Sequence, residues 1–245
     1  MNFGLTAPGR ESLSSQVHGQ LREALMAGRF WPGQRLRIRE LAEAMGVSDT
    51  PVREAIMQLV REGGLDMRAS QSITVVKLSL ARYFELREIR FLLEGMAAAK
   101  AAPLLKPSDI ARLEELHAEL IAAEAQGDAE AATIANFRFH FAIYRASQAV
   151  DLVGILETCW LRNGPLLKLL YPHAAPTYAG PHQHLAIIEA LKRRDGEAAA
   201  KAIRDDIIEG GARLVDLLGR IEDGRAAIVE DANGALRLAF TERAA

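Results

Sequence analysis

The stretch from Ile38 to Val60, IRELAEAMGVSDTPVREAIMQLV, constrains this chain more than any other. It reads as two short helices joined by a tight turn. The first carries Leu41, Ala42 and Met45 as an apolar stripe, Gly46 ends it, and Val47 packs the turn. The second places Val52, Ala55, Ile56, Leu59 and Val60 at i, i+3, i+4, i+7 and i+8, which is one buried face. Thr50, Arg53, Met57 and Arg61 fall on the opposite face. Pro51 sits in the first turn, where a missing N–H costs little, and Ser48 or Thr50 can cap the helix. A helix, a glycine turn and a second helix with a small, hydroxylated start followed by Arg make the pattern of a helix-turn-helix. The N-terminal end of such a second helix meets base edges in a major groove. The candidate DNA contacts are therefore Arg39, Ser48, Asp49, Thr50, Pro51 and Arg53. Taken by itself, the segment also fits a helical hairpin inside an all-α core.

The flanks favour DNA. Upstream, Val17 to Gly28 is amphipathic, with Val17, Leu21, Leu25 and Met26 as its stripe. Pro32-Gly33 then makes a turn before a short strand. Downstream, 65–68 and 73–77 are β-prone runs around the small polar loop 69–72. Helix, strand, helix, helix, hairpin is a winged helix-turn-helix.

At these residues the chain resembles a known family. LREALMAGRFWPGQRLRIRELAEAMGVSDTPVREAIMQLVREGGL is similar to the N-terminal domain of GntR-family transcription regulators. The matching pieces are the AGRFWPGQRL turn, the RELAE helix, and VSDTPVREA with its Leu-x-x-Glu-Gly-x-Leu exit. Two positions depart from the family pattern. Asp49 stands where the family often has Arg, and Ser70 where its wing tip usually has Gly.

Charge limits how DNA could be held. The net charge is −2, with 10 Lys+Arg against 8 Asp+Glu in residues 1–78 and 20 against 24 in the rest. So small an excess puts DNA affinity on a few placed arginines rather than on a broad positive field. Cys159 is the only cysteine, which excludes an intrachain disulfide or a cysteine-based zinc site, and its helical stripe with Leu156 and Trp160 makes it a buried apolar residue. No apolar run reaches the roughly 18 residues of a membrane span, and the N-terminus lacks a signal-like core. A cytoplasmic protein without membrane contact is expected.

Beyond Ser79 the periodicity is helical with almost no strand signal. Candidate helices cover 79–102, 108–126, 128–148, 150–170, 178–194 and 196–220. Pro103, Pro107, Gly127, the run 171–176 and Gly196 mark the breaks. The fold expected is mainly α: a winged helix-turn-helix over 11–77, then an antiparallel bundle of six helices over 79–221. Residues 1–10 read as disordered and 222–245 as a tail.

The bundle resembles the sensor domain of the FadR-type branch of the same family, the FCD domain. IRFLLEGMAAAKAA, NFRFHFAIYRAS and HLAIIEALKRRDGEAAAKAIRDDI follow its order and spacing. In many such domains an aspartate and three histidines hold a divalent metal. The matching positions here are Asn136, His140, His184 and Asp206. One carboxylate has left position 136 and one has arrived at 206, so the set can still coordinate Zn²⁺, Ni²⁺ or Mn²⁺. Otherwise His140 and His184 line a metal-free pocket. His182 is two residues from His184 and would point elsewhere on a helix. His18, His117 and His173 lack partners and read as surface residues.

Arg90 and Glu94 are an i, i+4 pair. They form a plain ion pair, or, as the resemblance implies, Arg90 faces the cavity and takes an effector carboxylate bidentately. The effector set is then Arg90, Asn136, His140 and His184.

No nucleophile elbow, phosphate loop or HExxH motif is present. The resemblance implies a homodimeric repressor that binds a palindromic operator in double-stranded DNA under control of a small organic acid. Two alternatives are a metal-dependent hydrolase in the bundle and a dimeric sensor that has lost DNA binding, the latter suggested by Asp49.

Overall fold

A computed structural model describes residues 12–67, 72–171, 173–232 and 234–241. The chain opens with α1 (Leu13–Met26), capped by the Ser12 hydroxyl, which accepts from the Ser15 amide at 3.1 Å. That cap starts the helix one turn before the expected Val17. The buried stripe is the expected one, Val17, Leu21, Leu25 and Met26.

Strand β1 (Arg35–Leu36), α2 (Ile38–Met45), α3 (Asp49–Glu62), β2 (Leu65–Met67) and β3 (Ile73–Val75) complete the winged half. Gly46, left-handed at φ 66°, ends α2 and lets the chain turn into α3. Three antiparallel strands run in the order β1-β3-β2, with Leu36 opposite Ile73 and Leu65 opposite Val75. Ser70 and the wing tip lie outside the described residues, as do residues 1–10.

The bundle consists of α4 (Leu80–Ala101), α5 (Pro107–Gln126), α6 (Ala129–Ala146), α7 (Val150–Leu170), α8 (Gln183–Lys192), α9 (Gly196–Gly210) and α10 (Ala212–Glu222). Helix α4 packs on α6, α7 and α9, while α5 packs on α6 and α8. Two expectations change here. The helix expected over 196–220 is two, because the Gly210-Gly211 pair breaks it. A Cβ on Gly211 would stand 2.7 Å from the Ile207 carbonyl and 3.0 Å from the Tyr83 hydroxyl. The helix expected from 178 starts at Gln183, because His182, just after Pro181, is its N-cap.

The expected tail is corrected too. Strands β4 (Ala226–Glu230) and β5 (Leu236–Phe240) form an antiparallel hairpin. The Asp231 carboxylate accepts from the Ala235 amide at 3.0 Å across the turn, and Ala226 and Leu238 are buried against the body. No described helix is long and apolar enough to cross a membrane.

The two halves are in contact. Arg22 of α1 pairs with Glu62 of α3 at 3.2 Å and with Glu157 of α7. Gly164 lies where α7 meets α1, and a Cβ there would be 2.2 Å from the Leu25 carbonyl oxygen.

Candidate DNA interface and sensor cavity

Helix α3 buries Pro51, Val52, Ala55, Ile56 and Leu59 and leaves Asp49, Thr50, Arg53 and Glu54 exposed. Its start is therefore open to a groove. Ser48 occupies the N-cap position, but its hydroxyl makes no capping bond and stays free to face a ligand. Pro51 is buried, so its ring shapes the first turn and does not reach outward. Arg39 projects from α2 and makes a 3.1 Å ion pair with Glu43, both well exposed. Exposed pairs of this kind are worth at most about 1 kcal/mol, so a phosphate can take the guanidinium from its partner. Asp49 adds a carboxylate at the helix N-terminus, where it favours the dipole and opposes DNA.

Within the bundle, a cavity of about 50 Å³ is lined by Arg90, Asn136, His140, Trp160, Asn163, Tyr178 and Asp206, among others. That volume holds several waters. Glu94 anchors one wall. It is fully buried and accepts from Arg90 Nε at 2.6 Å, Arg90 Nη2 at 3.4 Å, the Tyr144 hydroxyl at 2.5 Å and Trp160 Nε1 at 2.8 Å. Arg90 also donates from Nη1 to Asn163 Oδ1 at 2.8 Å. It lines the cavity, and Glu94 already balances its charge. Burial disfavours that charge, but Glu94 outweighs burial and holds the guanidinium above its ordinary pKa.

The opposite wall is a chain of polar contacts. His140 Nδ1 lies 3.1 Å from the Tyr144 hydroxyl, and His140 Nε2 lies 3.3 Å from Asp206 Oδ2. Tyr178 donates to Asp206 Oδ1 at 3.2 Å. The Tyr144 hydroxyl has one proton and gives it to Glu94, so toward His140 it can only accept. His140 therefore carries its proton on Nδ1. In the neutral ring, Nε2 then points a lone pair at a carboxylate, and two acceptors facing each other need a cation between them. A proton fills that role, and so does a metal. An imidazole whose far N–H is held by an acceptor is also the usual arrangement of a metal-bound histidine.

His184 completes the inner triad. It is fully buried, stacked on Phe139 at 3.8 Å, and neither ring nitrogen has a hydrogen-bond partner among the described residues. One ligand atom each from His140, His184 and Asp206 lies within 4.8 Å of the others. Burial pushes the His184 pKa well below the ordinary histidine value, which keeps its lone pair available. Burial alone would raise the Asp206 carboxyl. With a proton between His140 Nε2 and Asp206, that hydrogen bond outweighs burial and holds the carboxyl well below the usual range. These residues fit a divalent metal, with Asn136 on the same cavity wall.

Two residues escaped the sequence reading. The His182 ring is 4.3 Å from that of His184, and His117 lies 5.1 Å from His182 and 5.6 Å from His184. His182 does not point away, because it precedes the helix instead of belonging to it. Its Nδ1 accepts from the His184 amide at 3.1 Å. His117 faces it from α5. The other two are not isolated either: His18 bonds Glu62 at 2.9 Å, and the His173 ring lies 6.0 Å from Trp31. Cys159 is buried as expected.

Comparison with known proteins identifies both halves. Residues 13–75 match the profile of the gntR family of bacterial regulatory proteins, and residues 85–208 match the FCD domain. The chain belongs to the GntR family. It is 37% identical over 197 residues to the HTH-type transcriptional regulator McbR of Escherichia coli K12, covering 79% of this chain and 89% of that protein. The HTH-type transcriptional repressor RspR of the same strain is 26% identical over 200 residues, 81% of this chain and 87% of its own. A solved structure of E. coli McbR/YncC superposes with a TM-score of 0.77 at 35% identity, covering 84% of this chain and 99% of that one. This GntR-family chain is thus a DNA-binding transcription regulator with a small-molecule sensor domain, and its relatives are regulators rather than enzymes. The C-terminal hairpin lies beyond both matched segments.

Proposed function

We propose that the protein is a homodimeric repressor whose operator affinity is set by a small organic acid bound in the FCD cavity through a divalent metal. The observation that carries this reading is His140 Nε2, 3.3 Å from the Asp206 carboxylate, beside the unpartnered His184. His140, His184 and Asp206 would hold Zn²⁺, Ni²⁺ or Mn²⁺. Asn136 is the weakest ligand of the set, since an amide oxygen attracts a cation less than a carboxylate does. The metal would supply a positive charge for the acid's carboxylate, and Arg90, held by Glu94 and Asn163, would orient the remainder.

The dimer is supported by an apolar stripe on α4. Ile89, Leu92 and Met96 are exposed at i, i+3 and i+7, with Leu92 69% exposed. Two winged domains brought together on that axis would read a palindrome through Arg39, Ser48, Asp49, Thr50 and Arg53, in the cytoplasm where the DNA is. Repression fits the relative RspR, a transcriptional repressor.

A thermal-shift screen of carboxylic acids, with and without added metal, tests the reading, because a ligand of the native state raises its melting temperature. One acid class should raise Tm only when metal is present and should change operator affinity in the same range. Metal-stripped protein that binds that acid at full strength would leave His140 and His184 as pocket lining.

A further inference from the structure

Four buried ring nitrogens meet without partners outside the His140–Asp206 pair. They are His117 Nδ1, His182 Nε2 and both nitrogens of His184, none of which has a hydrogen-bond partner among the described residues. One ligand atom from each of the three rings lies within 4.8 Å of the others. Buried polar groups are almost always satisfied, and a cluster of unsatisfied ones of a single chemistry points to what would satisfy it. Three neutral imidazoles offer lone pairs to a transition metal.

We propose that His117, His182 and His184 form a second position for a zinc-, nickel- or copper-type ion, sharing His184 with the inner position of His140 and Asp206. A neutral imidazole has one lone pair, so His184 serves one ion at a time. The two positions are alternatives for one ion and not a two-metal centre. They differ in donor set. The outer one has three nitrogens, whereas the inner one has two nitrogens and a carboxylate oxygen. The all-nitrogen set disfavours manganese and magnesium, which prefer oxygen.

The geometry closes with small motions. Zinc at about 2.0–2.1 Å from each nitrogen sets tetrahedral ligand nitrogens about 3.4 Å apart. His184 is clamped on Phe139, while His117 and His182 are half-buried and can turn to close the gap. One bond is lost. In the present tautomer His182 Nδ1 accepts from the His184 amide, which puts the proton on Nε2. Coordination through either nitrogen ends that capping bond. The loss is small beside the affinity of a three-ligand zinc site. Because His117 and His182 are nearer the surface than His140 and Asp206, the outer position is also the one an arriving ion meets first.

This goes beyond the inner site, and either position can stand without the other. The test is zinc binding by the full-length protein, by competition with a chromophoric chelator, with X-ray absorption counting the imidazoles. Wild type should take one equivalent per chain. His140→Gln should still take one, now with three imidazoles, and Asp206→Asn serves the same purpose if that variant does not fold. Adding His117→Gln and His182→Gln should weaken binding by more than the roughly 10–100-fold that follows loss of an outer-shell partner. If His140→Gln and Asp206→Asn take up no zinc while His117→Gln/His182→Gln binds like wild type, the outer position does not exist and the inner one stands. If the double variant loses zinc and His140→Gln keeps it, the inner position falls. A wild-type protein that binds none overturns both.

Discussion

Arg90 donates to Asn163 across the sensor cavity at 2.8 Å, and the next residue after Asn163, Gly164, is one of those at which α7 touches the DNA-binding half. A ligand that moved the Arg90 guanidinium would therefore act on α7 one residue from its contact with the Leu25 carbonyl. Arg22 ties the same pair of helices together by bridging Glu62 and Glu157. An effector that binds one arrangement of Arg90 better than another would bias the α1–α7 contact by that differential affinity.

Gly164→Ala tests that contact. The added methyl would lie 2.2 Å from the Leu25 oxygen and 2.6 Å from the Met26 oxygen, both backbone atoms, so α1 must shift. The expected cost is about 1–3 kcal/mol of stability, as for other overpacked sites. A changed operator affinity in the folded fraction should accompany it. Gly154→Ala in the same helix is the control, since nothing lies within 4 Å of a Cβ there. It should stabilise by about 0.5–1 kcal/mol. Thermal melts and operator titrations on both variants decide the matter. Equal behaviour would mean that the contact is not tight.

Arg53→Ala should weaken specific operator binding by about 1–3 kcal/mol if the side chain reads a base edge, and leave Tm unchanged. The side chain is exposed one turn into α3, opposite the buried face. A filter or gel-shift titration at fixed salt is sufficient. An unchanged affinity moves the reading head to Arg39 and Thr50.

Asp49→Arg should bind random DNA more tightly and with a steeper salt dependence, by about one unit of slope for each additional phosphate that the guanidinium neutralises. Asp49 is exposed in the first turn of α3, beside Thr50 and one turn from Arg53. If neither affinity nor slope moves, the carboxylate points away from the DNA.

Tyr144→Phe should loosen metal binding about 10–100-fold without removing a ligand. The hydroxyl gives its proton to Glu94 and so accepts from His140 Nδ1, fixing which nitrogen of His140 faces Asp206. Without it the ring can reverse its tautomer. The variant also leaves Glu94 with Arg90 and Trp160 as its donors, and some loss of stability should follow. Metal affinity and Tm, measured together on the metal-free and loaded forms, separate the two effects.

The winged half was legible because its stripes are local. Leu21 and Leu25, or Val52, Ile56 and Leu59, announce their buried faces by spacing alone. The meeting of His140, His184 and Asp206 was legible through family order, although nothing in it revealed the tyrosine beside His140. His117 and His182 were missed because they meet only in three dimensions, across α5 and the start of α8. Pro181 held a usable signal. A helix beginning after it puts His182 at the cap, where helical spacing rules no longer apply. The C-terminal hairpin was also available in sequence, as Asn233-Gly234 between the apolar runs of β4 and β5. The break at Gly211 was available too, as the Gly210-Gly211 pair, although the close approach of Tyr83 and Tyr178 to it was not.

Acidification should strip the metal and destabilise the fold in one pH window. Burial pushes the His182 imidazole down to about 4 and holds His184 well below its ordinary value. In the unfolded chain both take a proton near pH 6.5. Between pH 6.5 and 4 the unfolded state therefore binds more protons than the folded one, and stability falls as pH falls. Asp206 acts in the same direction at lower pH. Its depressed carboxyl contributes stability above its ordinary range near 4, and that contribution is lost as pH falls toward the folded value. Bound metal adds to the slope, because each ligand imidazole must be neutral and a proton competes for its lone pair. Melts from pH 8 to pH 4, with chelator and with one equivalent of zinc, should give curves that are flat above pH 7 and fall below pH 6.5. The gap between them should narrow as pH drops. Curves that stay parallel across that range would show that zinc is not held by these histidines, and a flat chelator curve would show that their rings are not buried as neutral groups.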